Sequence, residues 1–253
     1  MRERPAVSIV IPAWNAWETT RSCLDSLYLT LAASDEVVVV DDGSTDATPS
    51  HLAHYGWARV IRNPTNLGFA AACNRGAAAA PGEILVFLNN DTLLFGRWID
   101  ALTKPFANPE IGGVGPRSNF VSGPQLVPEA QTLPPEPSRI RSFARTWQNA
   151  HRGETSPTNR LVGFCLAIRR NAFEEVGGFD ESYGNGGFED DDLCLRLIDG
   201  SWKLAISHEC FVYHRGHVTF HANGLDWYAE QQRNEGRFIA RHHGTRSREV
   251  DAG

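Results

Sequence analysis

A chain of 253 residues with 42% hydrophobic and 21% charged content can bury one large core or two small ones. Its formal net charge of −6 argues against a nucleic-acid backbone as partner, which needs a concentrated basic surface. No apolar run reaches the roughly 20 residues that span a bilayer, and residues 1–5 lead into a strand-like run without a signal-peptide core. Cys23, Cys73, Cys165, Cys194 and Cys210 are scattered, form no CxxC pair, and read as buried thiols of a reducing, cytoplasmic environment.

Residues 7–11 (Val-Ser-Ile-Val-Ile) read as a first strand, after which Leu24, Leu27, Tyr28 and Leu31 recur at helical spacing with Asn15 as the expected N-cap. Residues 36–40 are a second strand whose unbroken apolar content predicts burial on both faces. A short helix is expected after Asp46 and a strand over 58–61. An alanine-rich helix follows over 68–80, stopped by Pro81-Gly82, then a strand over 83–88 and a helix over about 97–106. Such alternation predicts a parallel sheet with right-handed crossovers. Ligands of these sheets bind beyond the C-terminal strand ends, where Pro12, Asp41, Asp42 and Asn89-Asn90-Asp91 fall.

Over 115–159, Pro116, Pro124, Pro128, Pro134, Pro135 and Pro137 with little periodicity predict a long irregular excursion with too little apolar content to order itself fully. A strand over 161–168, a short helix over 171–176 and an acidic helix come next. Strands near 202–206 and 210–213, a closing helix over 225–239 and a frayed polar tail from His242 complete the chain.

The acidic helix opens with four consecutive carboxylates, Glu189 to Asp192, between the glycine-rich turn 184–187 and the apolar Leu193 and Leu197. The exposed N–H groups of a first helical turn favour ionised side chains, so alone this is a helix cap. Asp41-Asp42-Gly43-Ser44-Thr45-Asp46 and Asn89-Asn90-Asp91 each follow an aliphatic run, and together the three segments point to a metal or nucleotide site. Other nucleotide and hydrolase signatures are missing: there is no GxGxxG, no GxxxxGK[ST] and no GxSxG, and the Asp41 loop lacks the terminal Glu of a calcium loop.

In order, Val7-Ser-Ile-Val-Ile-Pro-Ala-Trp-Asn15, Val39-Val-Asp-Asp-Gly-Ser-Thr-Asp46, Asn66-Leu-Gly-Phe69 with Asn74-x-Gly76, Leu88-Asn-Asn-Asp91, Gly177-Gly-Phe-Asp180 and Glu189-Asp-x-Asp-Leu193 resemble the motifs of family 2 glycosyltransferases. The resemblance runs over about 7–217. It implies a GT-A fold, an α/β architecture with a Rossmann-like, mostly parallel central sheet flanked by helices and a smaller acceptor-side subregion. A nucleotide-sugar-binding half would span 1–115 and an acceptor-binding, catalytic half of the same domain 116–241, leaving a flexible tail over 242–253. Asn66-Leu-Gly-Phe-Ala70, Asn89-Asn-Asp and Pro116-x-Ser-Asn119 resemble bacterial members that build rhamnose-containing or other cell-surface polysaccharides.

The activity so implied is hexosyltransferase-like. A sugar moves with inversion from a UDP- or dTDP-sugar, such as dTDP-rhamnose, to a hydroxyl of a glycan, lipid-linked glycan or other acceptor, with Mn²⁺ or Mg²⁺ as cofactor. No nucleic acid and no integral membrane segment are implied, and peripheral association with the inner face of the membrane stays open, as does oligomeric state. Carried onto matching positions, the backbone of Pro12, Ala13 and Asn15 lines the base pocket, Asp41 accepts from a pyrimidine N3–H, and Asn66, Gly68 and Asn74 help close the pocket. Asn90 and Asp91 occupy the family's DxD position, where Asp91 binds the metal and His214 completes that site. Asp190 matches the catalytic base, and Glu189 orients the acceptor hydroxyl or caps the helix.

Neighbouring residues carry plainer expectations. Asp192 and Arg196 pair at i,i+4 on the helix surface, Asp191 is solvated, and Phe143 and Trp147 offer faces to a sugar. His208, Cys210, His214, His217 and His221 raise a zinc alternative, which strand alternation and the absence of paired ligand spacing disfavour. A sugar nucleotidyltransferase would need a glycine-rich basic loop after the first strand, which residues 11–15 lack. A silent nucleotide-sugar-binding module is disfavoured by Asp91, Asp190 and His214.

Overall fold

The computed structural model describes residues 5–216 and 218–250. Its first half alternates as the periodicity predicts: β1 (Val7–Ala13), α1 (Trp17–Tyr28), β2 (Glu36–Asp42), α2 (Thr48–Leu52), β3 (Arg59–Asn63), α3 (Phe69–Ala79) and β4 (Ile84–Leu88). All three pairings among these strands are parallel. Successive residues of a strand face opposite sides, and here both sides are covered. Ile9, Ile11, Val37, Val39, Ile84 and Val86 enter one core cluster, while Val10, Val38, Val40, Leu85 and Phe87 enter the other. Each such side chain contributes about 1.5–3 kcal/mol on burial.

The second half contributes β5 (Thr92–Leu93), α4 (Trp98–Thr103), β6 (Ile111–Arg117), α5 (Pro137–Ala150), β7 (Thr155–Thr158), β8 (Cys165–Arg169), α6 (Arg170–Glu175) and α7 (Glu189–Asp199). The chain closes with β9 (Lys203–Phe211), β10 (Tyr213–His214), α8 (Val218–Ala222) and α9 (Trp227–Val250). One eight-stranded sheet runs in the order β3-β2-β1-β4-β8-β6-β9-β7. Only β8 and β7 oppose the common direction among its strands. This is an α/β fold with a mostly parallel central sheet flanked by helices. Outside it, β10 pairs antiparallel with β5, setting His214 opposite Thr92 and next to Asp91.

Several local expectations are corrected. Asn15 is not the cap of α1: its φ is +55° and its Oδ1 accepts from the Thr45 and Asp46 amides at 2.8 and 3.2 Å. Asp46 instead accepts from Trp17 N, at 3.3 Å from across the loop. Residues 115–159 are not an irregular excursion. They hold the end of β6, two 3-10 turns, the fourteen-residue α5 and the edge strand β7.

In α5, Ile140 and Ala144 recur at i,i+4 and are buried with Val127 and Ala130 against Leu93, Phe95, Phe211 and Tyr213. Pro137 opens that helix, where its missing N–H costs nothing. The strand expected over 161–168 starts only at Cys165, and the two strands expected near 202–213 are one strand, β9, followed by β10. The closing helix continues past 239 to Val250, and the rest of the expected tail, 251–253, lies outside the described residues. No helix among the described residues is long and apolar enough to cross a membrane.

Candidate active site

A cavity of about 970 Å³ opens at the C-terminal ends of β1 and β4, bounded by the first turn of α7 and by α9. That size and place are those of a ligand site in an open parallel sheet. Its sheet-side wall is made by Pro12, Ala13 and Trp14 at the end of β1, by Asp42, Asn66 and Gly68, and by Asn89, Asn90 and Asp91 after β4. Asp42 organises the 66–68 loop by accepting from the Leu67 and Gly68 amides, both at 3.0 Å, and from Asn63 Nδ2 at 2.6 Å. Gly68 has φ +94°, and a Cβ there would lie 2.2 Å from the Gly184 carbonyl oxygen, so no side chain fits.

Three residues expected at the base pocket lie elsewhere. Asp41 does not line the cavity. Adjacent residues of β2 point to opposite faces, and Asp42 takes the cavity side while Asp41 pairs with Arg62 Nε at 3.3 Å and accepts from the Ser44 amide. Asn74 donates to the Phe179 carbonyl and to Glu181, and accepts from Phe179 N, all at 2.9 Å, which makes it a bracket between α3 and the 178–181 loop. Asn15, besides its loop contacts, donates to Asn223 Oδ1 at 2.5 Å. Asn90 does face the cavity, yet its amide is engaged by Thr20 at 2.8 Å and by the Thr219 hydroxyl at 3.2 Å.

Asp91 and His214 meet as expected, with His214 Nε2 3.1 Å from Asp91 Oδ1. Both atoms are buried and neither has a hydrogen bond of good geometry. His214 Nδ1 sits 2.9 Å from the Phe120 carbonyl oxygen, which can only accept, so Nδ1 carries a proton and a neutral imidazole would aim the Nε2 lone pair at a carboxylate. A cation, whether a proton or a metal ion, is required between them. Burial opposes charge on both groups, but their contact prevails, raising His214 and lowering Asp91 from their ordinary values. Phe164 stacks on the imidazole at 4.9 Å and Phe120 meets it edge-on at 5.7 Å.

The opposite wall is the start of α7. Gly186, Gly187 and Phe188 all have positive φ, and the last forms the N-cap of the helix. Asp190 is 8% exposed and lines the cavity, its Oδ2 accepting from the Gly163 amide at 2.7 Å and its Oδ1 from the Asp191 amide at 2.9 Å. Glu189 is 7% exposed, lines the same wall, and has no partner for Oε2. Burial first, then the charge of the next carboxylate, raises both acids above the ordinary carboxylate range.

Two neighbours depart from expectation. Asp191 is not solvated: both its oxygens are held by Arg160, through Nε and through Nη2 at 3.2 Å. Asp192 pairs with Arg196 at 2.6 Å as its spacing predicts, but it is fully buried rather than on the helix surface, and His242 from α9 approaches its other oxygen at 2.8 Å.

Phe143 and Trp147 pack against Phe211 outside the cavity wall, with Trp147 Nε1 donating to the His208 carbonyl at 2.7 Å. The aromatic side chains lining the cavity are Trp14, Phe69, Phe120, Phe164, Phe188, Trp227, Tyr228 and Phe238, none singled out by periodicity because they come from separate stretches of chain. Of the residues raised for zinc, His208 contacts Ser156 and Cys210 donates to the Trp98 carbonyl, so neither faces His214, and His217 lies outside the described residues. Among the described residues no three His, Cys, Asp or Glu side chains converge as a metal site, and Asp91 and His214 meet as a pair.

The model of the family described as glycosyl transferase family 2 matches residues 8–177. The chain belongs to that family. A model described as the N-terminal domain of galactosyltransferase also matches residues 145–218. The chain is 32% identical to an N-acetylglucosaminyl-diphospho-decaprenol L-rhamnosyltransferase of Mycobacterium tuberculosis, over 78% of this chain and 72% of the relative. It is 30% identical to the pre-mycofactocin glycosyltransferase of the same species, over 82% of this chain but 42% of that one.

Among solved structures, a mannosyltransferase from Pyrobaculum calidifontis in complex with GDP-Man and Mn²⁺ superposes with a TM-score of 0.61 at 25% identity, covering 85% of this chain and 59% of that one. GalNAc-T7 with UDP, GalNAc and Mn²⁺ superposes at 0.66 and 18% identity, over 85% and 44%, which speaks to the fold. The chain therefore spans about half the length of these two solved structures.

Proposed function

We propose that this family 2 glycosyltransferase moves a sugar with inversion from a nucleoside-diphosphate donor to an acceptor hydroxyl, with Asp190 as the general base. The observation that carries the reading is the pairing of two unlike sites across one cavity. A buried carboxylate of raised proton affinity faces a buried Asp91–His214 pair that calls for a cation. In the reaction, the acceptor oxygen bonds to the anomeric carbon as that carbon's bond to the diphosphate oxygen breaks, and the hydroxyl proton passes to Asp190. Backbone N–H groups of Gly163 and Asp191 fix the orientation of the receiving carboxylate. Glu189, beside it, is raised in the same direction by burial and by the Asp190 charge, and in its protonated form can donate to a sugar oxygen.

Asp91 and His214 suit Mn²⁺ or Mg²⁺ as a partial ligand set, because their facing atoms are separated by the distance of neighbouring ligands on one octahedral ion, about 3 Å. Such an ion, when bound, neutralises the departing diphosphate. The Mn²⁺ in the mannosyltransferase complex supports this choice. For the donor, a dTDP- or UDP-sugar, dTDP-rhamnose foremost, is supported by the name of the M. tuberculosis relative. For the acceptor, a lipid-linked glycan is supported by that name and by the aromatic wall of Phe120, Phe188, Trp227 and Tyr228.

A screen of donor sugars by thermal shift with Mn²⁺ identifies the donor, and release of free nucleotide from it reports turnover. Asp190→Asn preserves shape and hydrogen bonding, so donor affinity should hold while turnover falls by about 10²–10⁴-fold. Undiminished turnover would remove Asp190 as base, and a donor that binds without any release of nucleotide would reduce the chain to a binding module.

A further inference from the structure

Arg160 and Asp191 stand beside the base without a part in the transfer itself. We propose that they form a clamp that holds Asp190 in place and balances the charge next to it, with Arg160 as the positioning residue; the inference rests on Asp190 being the base. Arg160 grips both Asp191 oxygens and, through Nη1, donates to Ser122 Oγ at 2.8 Å. One planar guanidinium thus joins three segments that have no sequence proximity: the loop after β6, the stretch before β8, and the first turn of α7.

Both hydrogen bonds that hold the base come from the clamped pieces. Gly163, three residues after Arg160, donates to Asp190 Oδ2, and the Asp191 amide donates to Oδ1. The approach is close enough that a Cβ on Gly163 would lie 3.3 Å from Asp190 Cβ. Sliding the 160–163 stretch along α7 would therefore break the first bond or drive the backbone into the base.

The charges point the same way. The titratable groups that face Asp190 are Glu189 and Asp191 on its own helix, Cys194 one turn along, and Arg160 from the opposing stretch, with Tyr228 and Gln231 of α9 completing the wall. Asp191 raises the proton affinity of Asp190, and Arg160 lowers it. Deleting either partner should thus move the base in opposite directions, whereas a merely structural pair would loosen the site in the same direction from either side.

The test follows the Asp190 carboxyl directly. Protein labelled with ¹³C at the aspartate side chains is titrated by NMR, with Asp190→Asn assigning the signal, so the readout stands even where no donor has been found. Arg160→Gln should raise the Asp190 midpoint by roughly one unit and Asp191→Asn should lower it by a similar amount. The double variant should return close to the parent. Arg160→Lys keeps the charge without the fork and should give a smaller rise, and it carries the test if Arg160→Gln does not fold. Once a donor is in hand, the acidic limb of the pH–kcat/KM profile for nucleotide release should shift with the midpoints. Both single variants moving the same way, or a double variant that fails to return, would overturn the clamp. Opposed shifts in the carboxyl titration without matching shifts in the rate profile would instead count against Asp190 as base.

Discussion

Glu189 has its carboxyl in the cavity wall with one oxygen unpartnered, and burial, followed by the Asp190 charge, raises its proton affinity. Across the window between the ordinary glutamate value, about 4.3, and the raised one, the folded state keeps a proton that the unfolded chain releases. Stability therefore falls as pH rises through that window. Glu189→Gln removes the ionisable group while keeping its volume, so its melting temperature should exceed that of the parent at pH 9 by more than at pH 5. An equal difference at both pH values would mean that Glu189 does not hold its proton in the fold. At this scale the motifs led to Asp91, Asp190, His214 and Asn66, all of which line one cavity. They misdirected Asp41 and Asn74, and the plain expectation of a solvated Asp191 failed as well. In each case the partner that turns the side chain is supplied from elsewhere: Arg62 on the neighbouring strand, the Phe179 backbone 105 residues on, and Arg160, 31 residues away. Spacing along one element cannot reveal a partner on another.

The helix that carries Asp190 is fixed at its middle as well as its start. Asp192 is fully buried and binds Arg196 one turn on, and Arg196 also donates to the Val176 and Gly178 carbonyls, both at 2.7 Å. The pair thus fastens α7 to the Gly177-Gly178 turn. Removing one partner of a buried ion pair strands the other, at a cost of about 3–5 kcal/mol. Asp192→Ala should lose stability on that order in urea unfolding, with Arg196 left inside, whereas a loss below about 0.5 kcal/mol would place the pair among surface ion pairs. The i,i+4 spacing was readable in the sequence; the burial was not, because α9 covers that face with His242. Periodicity likewise recovered α1, α3 and β1 to β4 but missed α5. Only two of its positions are fully buried, and its amphipathic face is short and set among prolines, so a composition argument outweighed a real i,i+4 pattern.

The molecule as a whole is organised around a junction between its two halves. Asp91 follows β4 in the strand–helix half, and His214 arrives 123 residues later on β10, brought across by the two-stranded β5–β10 ribbon. The motif order of the sequence located both residues; the ribbon that joins them, two residues per strand, is too short to leave a periodic signal. If the two side chains bind one divalent ion together with the donor diphosphate, their contributions to donor affinity are not independent, since removing either ligand already disables the ion site. With Mn²⁺ present, Asp91→Ala and His214→Ala should each weaken donor binding at least tenfold, and the double variant should be little worse than either single one. In EDTA the same substitutions should have far smaller effects on donor affinity. Binding by calorimetry under the two conditions decides the matter: additive losses with Mn²⁺, or losses of equal size in EDTA, would make the Asp91–His214 contact a structural tie between the halves and not a shared seat for a metal ion.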